Sequence, residues 1–288
     1  MRTAAETEVR RPSAVRALTT LLATTAAATV VVELLNWVYA PEQGFALAVR
    51  TGWALLRSLG FLLLIGNVRR GRTVARPFGL ILAVTTVFAV GRLIVPRQGT
   101  PPLPGLLGFA VLTALCVAVV WLLYRSPAVA SHLRRHRPRL VIDGRGISWR
   151  ETPPRRPEVS GWLLTARVAA FTYSPLMLVP ALVAGAAVLD DRLAAVPAVL
   201  FWFGAGVVTS YAVLFCTAFL LRGRHWARRL LVVVTLVVLA VDLPLCWWLL
   251  DWDGLVRDGA PLATAAAVTL YALHRATRAD PPTPTPSA

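Results

Sequence analysis

The feature that most constrains this chain is an alternation: runs of about twenty residues with scarcely a charge, separated by short bursts of arginine. A hydrocarbon core about 30 Å thick needs roughly 20 apolar helical residues, each rising about 1.5 Å. On that measure the sequence predicts eight membrane-spanning helices. They fall at 17–39, 45–66, 78–95 and 105–124, and again at 168–189, 197–221, 230–250 and 261–275. The last is the shortest and has to start earlier, tilt or thin the bilayer. With 57% hydrophobic residues, 15% charged residues and a mean hydropathy of +0.64, the composition excludes an ordinary soluble domain. The expected fold class is all-α, a polytopic membrane helix bundle.

The arginine bursts set the orientation. All thirty basic residues are arginine and the net charge is +16, a value that in a soluble chain would point to nucleic acid. Here the charge is confined to the connections, so it is read as the positive-inside bias and no nucleic-acid partner is expected. With the N-terminus inside, the inner segments hold twenty-three arginines, and the outer loops hold only Arg97, Arg192 and Arg257. Both termini are therefore predicted to be cytoplasmic. Trp247, Trp248 and Trp252 near outer ends, and Trp121, Trp162 and Trp226 near inner ends, fit two aromatic belts.

One burst recurs. RGRTVAR at residues 70–76 returns as RGRHWAR at 222–228, with five of seven positions identical. Each copy falls in the inner turn between the second and third spans of a group of four. An even number of spans separates the copies, so the two groups point the same way, as two parallel four-helix repeats. The chain then divides into a cytoplasmic N-terminal segment 1–16, a first unit 17–124, a basic linker 125–160, a second unit 161–277 and a Pro-rich tail 278–288 expected to be disordered. Gly71 and Gly223 are placed to take positive φ just past a helix end, and Ala75 and Ala227 are small enough for close helix approach. The flanking Arg70, Arg72, Arg76, Arg222, Arg224 and Arg228 either anchor topology by snorkelling or bind anionic phospholipid headgroups. In the linker, RLVIDGRGISWRE carries a β-hairpin signal around Asp143-Gly144-Arg145-Gly146. His132 and His136, four apart, sit among arginines that repel a metal cation, so this segment reads as solvated and basic.

The paired hairpins, with a lysine-free composition rich in Ala, Val, Leu, Gly and Pro, resemble multi-spanning integral membrane proteins of actinobacteria. That resemblance implies the plasma membrane of a bacterium and supplies no activity.

Candidate chemistry lies in the ionisable residues inside the spans. A charge at mid-helix costs about 2.5 to 3.5 kcal/mol on insertion scales, so each needs a partner or a role. Arg167 and Arg92 lie near interfaces and can snorkel. Glu33 and Arg50 are at matching depth on adjacent spans and are placed to pair. Arg50 and Arg57, seven apart, share one helix face. Arg57 lies near mid-membrane, and Asp242 is the other deep acid available to it. These four residues are structural clamps, a polar outward-facing site for a small anionic or zwitterionic solute, or part of a proton relay. Ser174-Pro175 and Pro180 are expected to kink the fifth span. The sequence holds no nucleophile–base, H-E-x-x-H or phosphate-loop pattern, and Cys116, Cys216 and Cys246 lie far apart in apolar runs. No catalytic site, metal or cofactor is expected. The expected role is non-enzymatic, as a scaffold or accessory subunit with a membrane protein partner, and the alternative is a small-solute transporter with an asymmetric site.

Overall fold

The computed structural model describes residues 13–40, 43–91, 93, 102–134, 138–143, 146–151 and 160–279. Residues 1–12, Glu42, Arg92, Arg97, His136 and the tail beyond Ala279 lie outside them, so the expectations placed there go unaddressed. The helices are α1 (Ser13–Tyr39), α2 (Phe45–Arg69), α3 (Ala75–Gly91), α4 (Pro102–Arg125), α5 (Pro127–Arg134), α6 (Gly161–Phe171), α7 (Tyr173–Asp191), α8 (Val196–Leu220), α9 (His225–Gly254) and α10 (Ala260–Ala279). Among the described residues, six helical stretches are long and apolar enough to cross a membrane: Ser13–Tyr39, Phe45–Arg69, Leu103–Arg125, Gly161–Ala186, Leu193–Leu220 and His225–Trp252. That is the character of an integral membrane protein. Helix α3 is apolar but has only 17 residues, about 25 Å of rise, and α10 has 20 residues of lower apolarity.

Helix ends run past the predicted spans. Helix α9 begins at His225 rather than 230, and the fifth span begins at Gly161 rather than 168. Apolarity marks the part of a helix inside hydrocarbon, whereas backbone hydrogen bonding continues into the headgroup layer, where long arginine stems remain comfortable. The fifth span also breaks in an unexpected place. Helix α6 ends at Phe171, Thr172 turns with its N–H on Ala169 O at 3.1 Å, and α7 starts at Tyr173. Pro175 thus sits in the first turn of α7, where its missing N–H is no loss, and the helix runs on through Pro180.

Each half of the chain has its own core. One apolar cluster draws its buried residues from Val15 to Leu133, and another from Leu163 to Ala276. Within each half the helices form a ring of neighbours: α1–α2, α2–α3, α3–α4 and α4–α1, matched by α7–α8, α8–α9, α9–α10 and α10–α6. The halves meet chiefly through α2 against α7, with α3 against α6 and α10.

The two arginine hairpins close with the same hydrogen bonds. Gly71 N–H donates to Val68 O at 2.9 Å and Arg72 N–H to Asn67 O at 3.0 Å; 152 positions on, Gly223 N–H donates to Leu220 O at 3.1 Å and Arg224 N–H to Phe219 O at 3.2 Å. These are the paired bonds of a Schellman cap, with glycine at φ 64° and 75° in the left-handed position. Ala75 and Ala227 are fully buried. The same offset carries through the helices. Helix α2 buries Ala54, Arg57, Phe61, Leu64 and Val68, and α8 buries Gly206, Thr209, Val213, Cys216 and Leu220.

The linker holds one element that the sequence did not announce. Pro127–Arg134 is a short helix, α5, with Val129 and Leu133 buried in the first core. Its His132, expected to be solvated, instead donates from Nε2 to Val68 O at 3.0 Å, at the C-terminus of α2. Beyond it, β1 (Pro138–Asp143) and β2 (Gly146–Glu151) pair antiparallel, with Asp143 opposite Gly146.

Candidate functional site

Helix α2 sets one face toward lipid, with Leu55, Leu56, Leu59, Leu62 and Leu63 exposed, and turns Arg50, Trp53 and Arg57 toward the other half. Spacings of three, four and seven residues place those three on one stripe. Arg57 is 4% exposed, and its guanidinium carbon lies 5.7 Å from the centre of the Trp53 ring. Opposite them stand Leu176, Val179 and Pro180 of α7, and Thr85 and Ala89 of α3 complete one side. The fourth wall is Arg257 and Asp258, with Pro261 of α10. Together these residues enclose a cleft of about 40 Å³ at the junction of the two halves.

Arg257 and Asp258 sit on an unusual turn. Between α9 and α10 the chain makes a π-helical turn over Leu255–Gly259. Just before it, Asp251 adopts φ 59° and ψ −165° inside α9. That conformation is almost restricted to glycine and costs an ordinary residue about 1–3 kcal/mol, and such strain clusters at functional sites together with π-turns. Arg257 donates from Nε and Nη2 to the same oxygen, Asp258 Oδ2, at 3.1 and 2.9 Å. Both side chains are largely buried, with 11% and 16% exposure. The cleft lining therefore carries three guanidiniums and one carboxylate.

The remaining candidates divide between two places. Glu33 of α1, 4% exposed, accepts from Thr51 Oγ1 at 3.1 Å, on the residue of α2 that follows Arg50. Asp242 belongs to a different cluster. It is fully buried within the second half and accepts from Trp202 Nε1 at 2.9 Å and from Cys246 Sγ at 3.5 Å. The expected approach of Arg57 to Asp242 required α2 to lie beside α9. Instead α2 meets the second half through α7, which gives Arg57 the cleft and leaves Asp242 to α8.

Sequence reasoning missed Arg257 and Asp258, which it left in an outer loop, and it missed Trp202 as the partner of Asp242. A signal for Arg257 was present: it is one of three arginines placed on the outer side against the positive-inside bias, and an exception to that bias needs a reason. Nothing comparable marked Trp202, which looks like any aromatic residue in an apolar run.

The arginines of the two hairpins take matched positions. Arg70, Arg72, Arg222 and Arg224 are exposed, and Arg76 and Arg228 are half-buried. Arg72 reaches Asn67 Oδ1 at 3.4 Å, and Arg222 lies 5.4 Å from the Phe219 ring centre.

Comparison with protein-family models, with curated proteins and with solved structures gave no match.

Proposed function

We propose that this chain is a non-enzymatic integral membrane protein of two parallel four-helix units that binds a small anion in the cleft between them, as a small-solute transporter does. Eight crossings follow if α3 and α10 also span, α3 by thinning the bilayer around it. Both termini are then cytoplasmic and the cleft opens near the outer surface. The matched Schellman caps, the shared buried register and the distribution of arginine support this arrangement, and the composition supports a bacterial plasma membrane.

The observation that carries the anion reading is the convergence of Arg50 and Arg57 from one half with Arg257 from the other. Even when Glu33 is counted beside Asp258, the arginines outnumber the acids. At an effective dielectric of about 20, a unit charge 4 Å from a guanidinium gains about 4 kcal/mol before desolvation is subtracted. A cleft of about 40 Å³ admits a compact inorganic anion or a short carboxylate, on the scale of a few water molecules. An anion entering it competes with Asp258 for Arg257 and so acts on the turn that joins α9 to α10.

Two measurements test the proposal. Purified protein in nanodiscs is melted in chloride, nitrate, bicarbonate or acetate at fixed ionic strength, with gluconate as the bulky control. Selective stabilisation by one compact anion is expected, about 2.7 kcal/mol at a hundred times its Kd, and Arg57→Gln removes it. Equal midpoints in all salts reject the anion site. Cysteines replacing Gln43 and Val256 should label from outside intact cells, while cysteines replacing Arg70 and Arg224 should not; the opposite result rejects the orientation.

The second reading, a scaffold or accessory subunit whose polar groups clamp the bundle, is favoured by Asp242, whose carboxylate is engaged wholly within its own half. That reading expects no selective anion effect in the same melts.

A further inference from the structure

A second feature lies on the lipid-facing side of the first half. Between α3 and α4 runs a groove of about 550 Å³, walled by Leu80, Val84, Val87, Val117 and Val120. Its far end changes character, for Trp121, Tyr124 and Arg125 close it where α4 joins the basic linker. Arg76 enters the same corner from α3. Its Nε donates to Leu123 O at 3.1 Å, and its guanidinium carbon lies 6.0 Å from the Tyr124 ring centre. Arg125 lies 5.3 Å from the ring centre of Trp121. Two guanidiniums are thus fixed at one end of an apolar channel, and each carries five N–H donors, of which Arg76 uses one on that carbonyl.

The geometry points to a site for one anionic diacyl phospholipid, with an acyl chain along the α3–α4 groove and its phosphate at Arg76 and Arg125. Any lipid chain fits an apolar groove; selection comes from the position of the charges. They stand at the end where a membrane lipid changes from hydrocarbon to phosphate, on the side of the bilayer that holds the basic linker, and arginine matches phosphate with paired N–H donors. Tyr124 and Trp121 add amphipathic rings at the same level.

The second half carries an arginine–aromatic cluster of its own near the end of α10, facing α6. Arg275 lies over Tyr271, 5.4 Å from the ring centre, and its Nε donates to the Tyr271 hydroxyl at 2.9 Å. Trp162 stands edge-on against that tyrosine at 5.7 Å. An arginine stacked on an aromatic residue four positions earlier is common to both halves, and in the first half it stands at the mouth of the groove. This inference rests on the membrane reading and is independent of the anion cleft.

The test uses full-length protein carried from nanodiscs of equal phosphatidylglycerol and phosphatidylcholine into native mass spectrometry, with bound lipid counted by mass. Wild type is expected to retain one phosphatidylglycerol in preference to phosphatidylcholine, and Arg125→Gln to lose that preference at least tenfold. Val117→Trp, which changes an exposed position and fills the groove, should lose both lipids, while Arg275→Gln should behave as wild type. In melts, phosphatidylglycerol should raise the midpoint by about 3 °C or more over phosphatidylcholine, and glycerol phosphate without acyl chains should not. The inference is overturned by equal retention of the two lipids, by equal losses in Arg125→Gln and Arg275→Gln, or by glycerol phosphate matching the lipid.

Discussion

The two halves match in their hairpin caps and in buried positions 152 apart, and differ in where they put charge. Positions 152 apart are buried together, yet Arg57 of α2 corresponds to Thr209 of α8, and Arg50 to Trp202. On the following helices, Val90 of α3 corresponds to Asp242 of α9, both buried. The second half therefore makes an internal polar contact, Trp202 to Asp242, at two positions where the first half holds Arg50 and Val90. In the first half, Arg50 and Arg57 instead line the cleft at the junction together with Arg257 and Asp258. A shared buried register can thus carry different charges, because helix packing depends on size and small-residue approach, while charge placement is free wherever a partner or water is in reach.

The sharpest way to break this comparison is at Trp202, which is completely buried. Trp202→Ala should cost about 3–5 kcal/mol in mixed-micelle unfolding. The informative variant is Trp202→Phe, which keeps most of the volume but leaves Asp242 without its indole donor and should cost about 1–3 kcal/mol. Adding Asp242→Leu should recover part of that loss, since removing both partners is milder than orphaning one. Additive losses would mean that the contact does not matter to the second half.

A smaller effect separates the two hairpins. Gly71 and Gly223 share left-handed backbone geometry, so Gly71→Ala and Gly223→Ala each incur about 1–2 kcal/mol of strain. A Cβ on Gly71 would also lie 2.9 Å from His132 O on α5, whereas Gly223 faces open space. Gly71→Ala should therefore lower stability by at least about 1 kcal/mol more than Gly223→Ala. Equal losses would show that α5 does not hold the first hairpin as closely as its hydrogen bond to Val68 implies.

The smallest effect tests what the halves have in common. Ser58 donates to Ala26 O at 3.0 Å, linking α2 to α1, and Ser210, 152 positions on, donates to Ser174 Oγ, linking α8 to α7. Replacing either serine with alanine should cost about 0.6 kcal/mol, the mean for hydrogen bonds between membrane helices. Unequal losses would argue against equivalent roles.

The sequence by itself determined the apolar helices and the glycine turns, because each depends on local chemistry: hydrocarbon transfer or the absence of a Cβ. It also marked Glu33, Arg50, Arg57 and Asp242 as residues in need of partners, since the cost of an intramembrane charge can be read from composition alone. Which partner each one took was decided only by the tertiary structure. Arg57 and Asp242 were the natural pair by depth, but depth fixes one coordinate, and the neighbour around the helix axis is set by which helices touch. The packing of α2 on α7 placed Arg57 with Arg50, Arg257 and Asp258 in the lining of one cleft and left Asp242 to Trp202. The turn at Asp251 and the helix α5 were equally out of reach, because a strained φ and an amphipathic turn of eight residues hold only when the surrounding fold supports them.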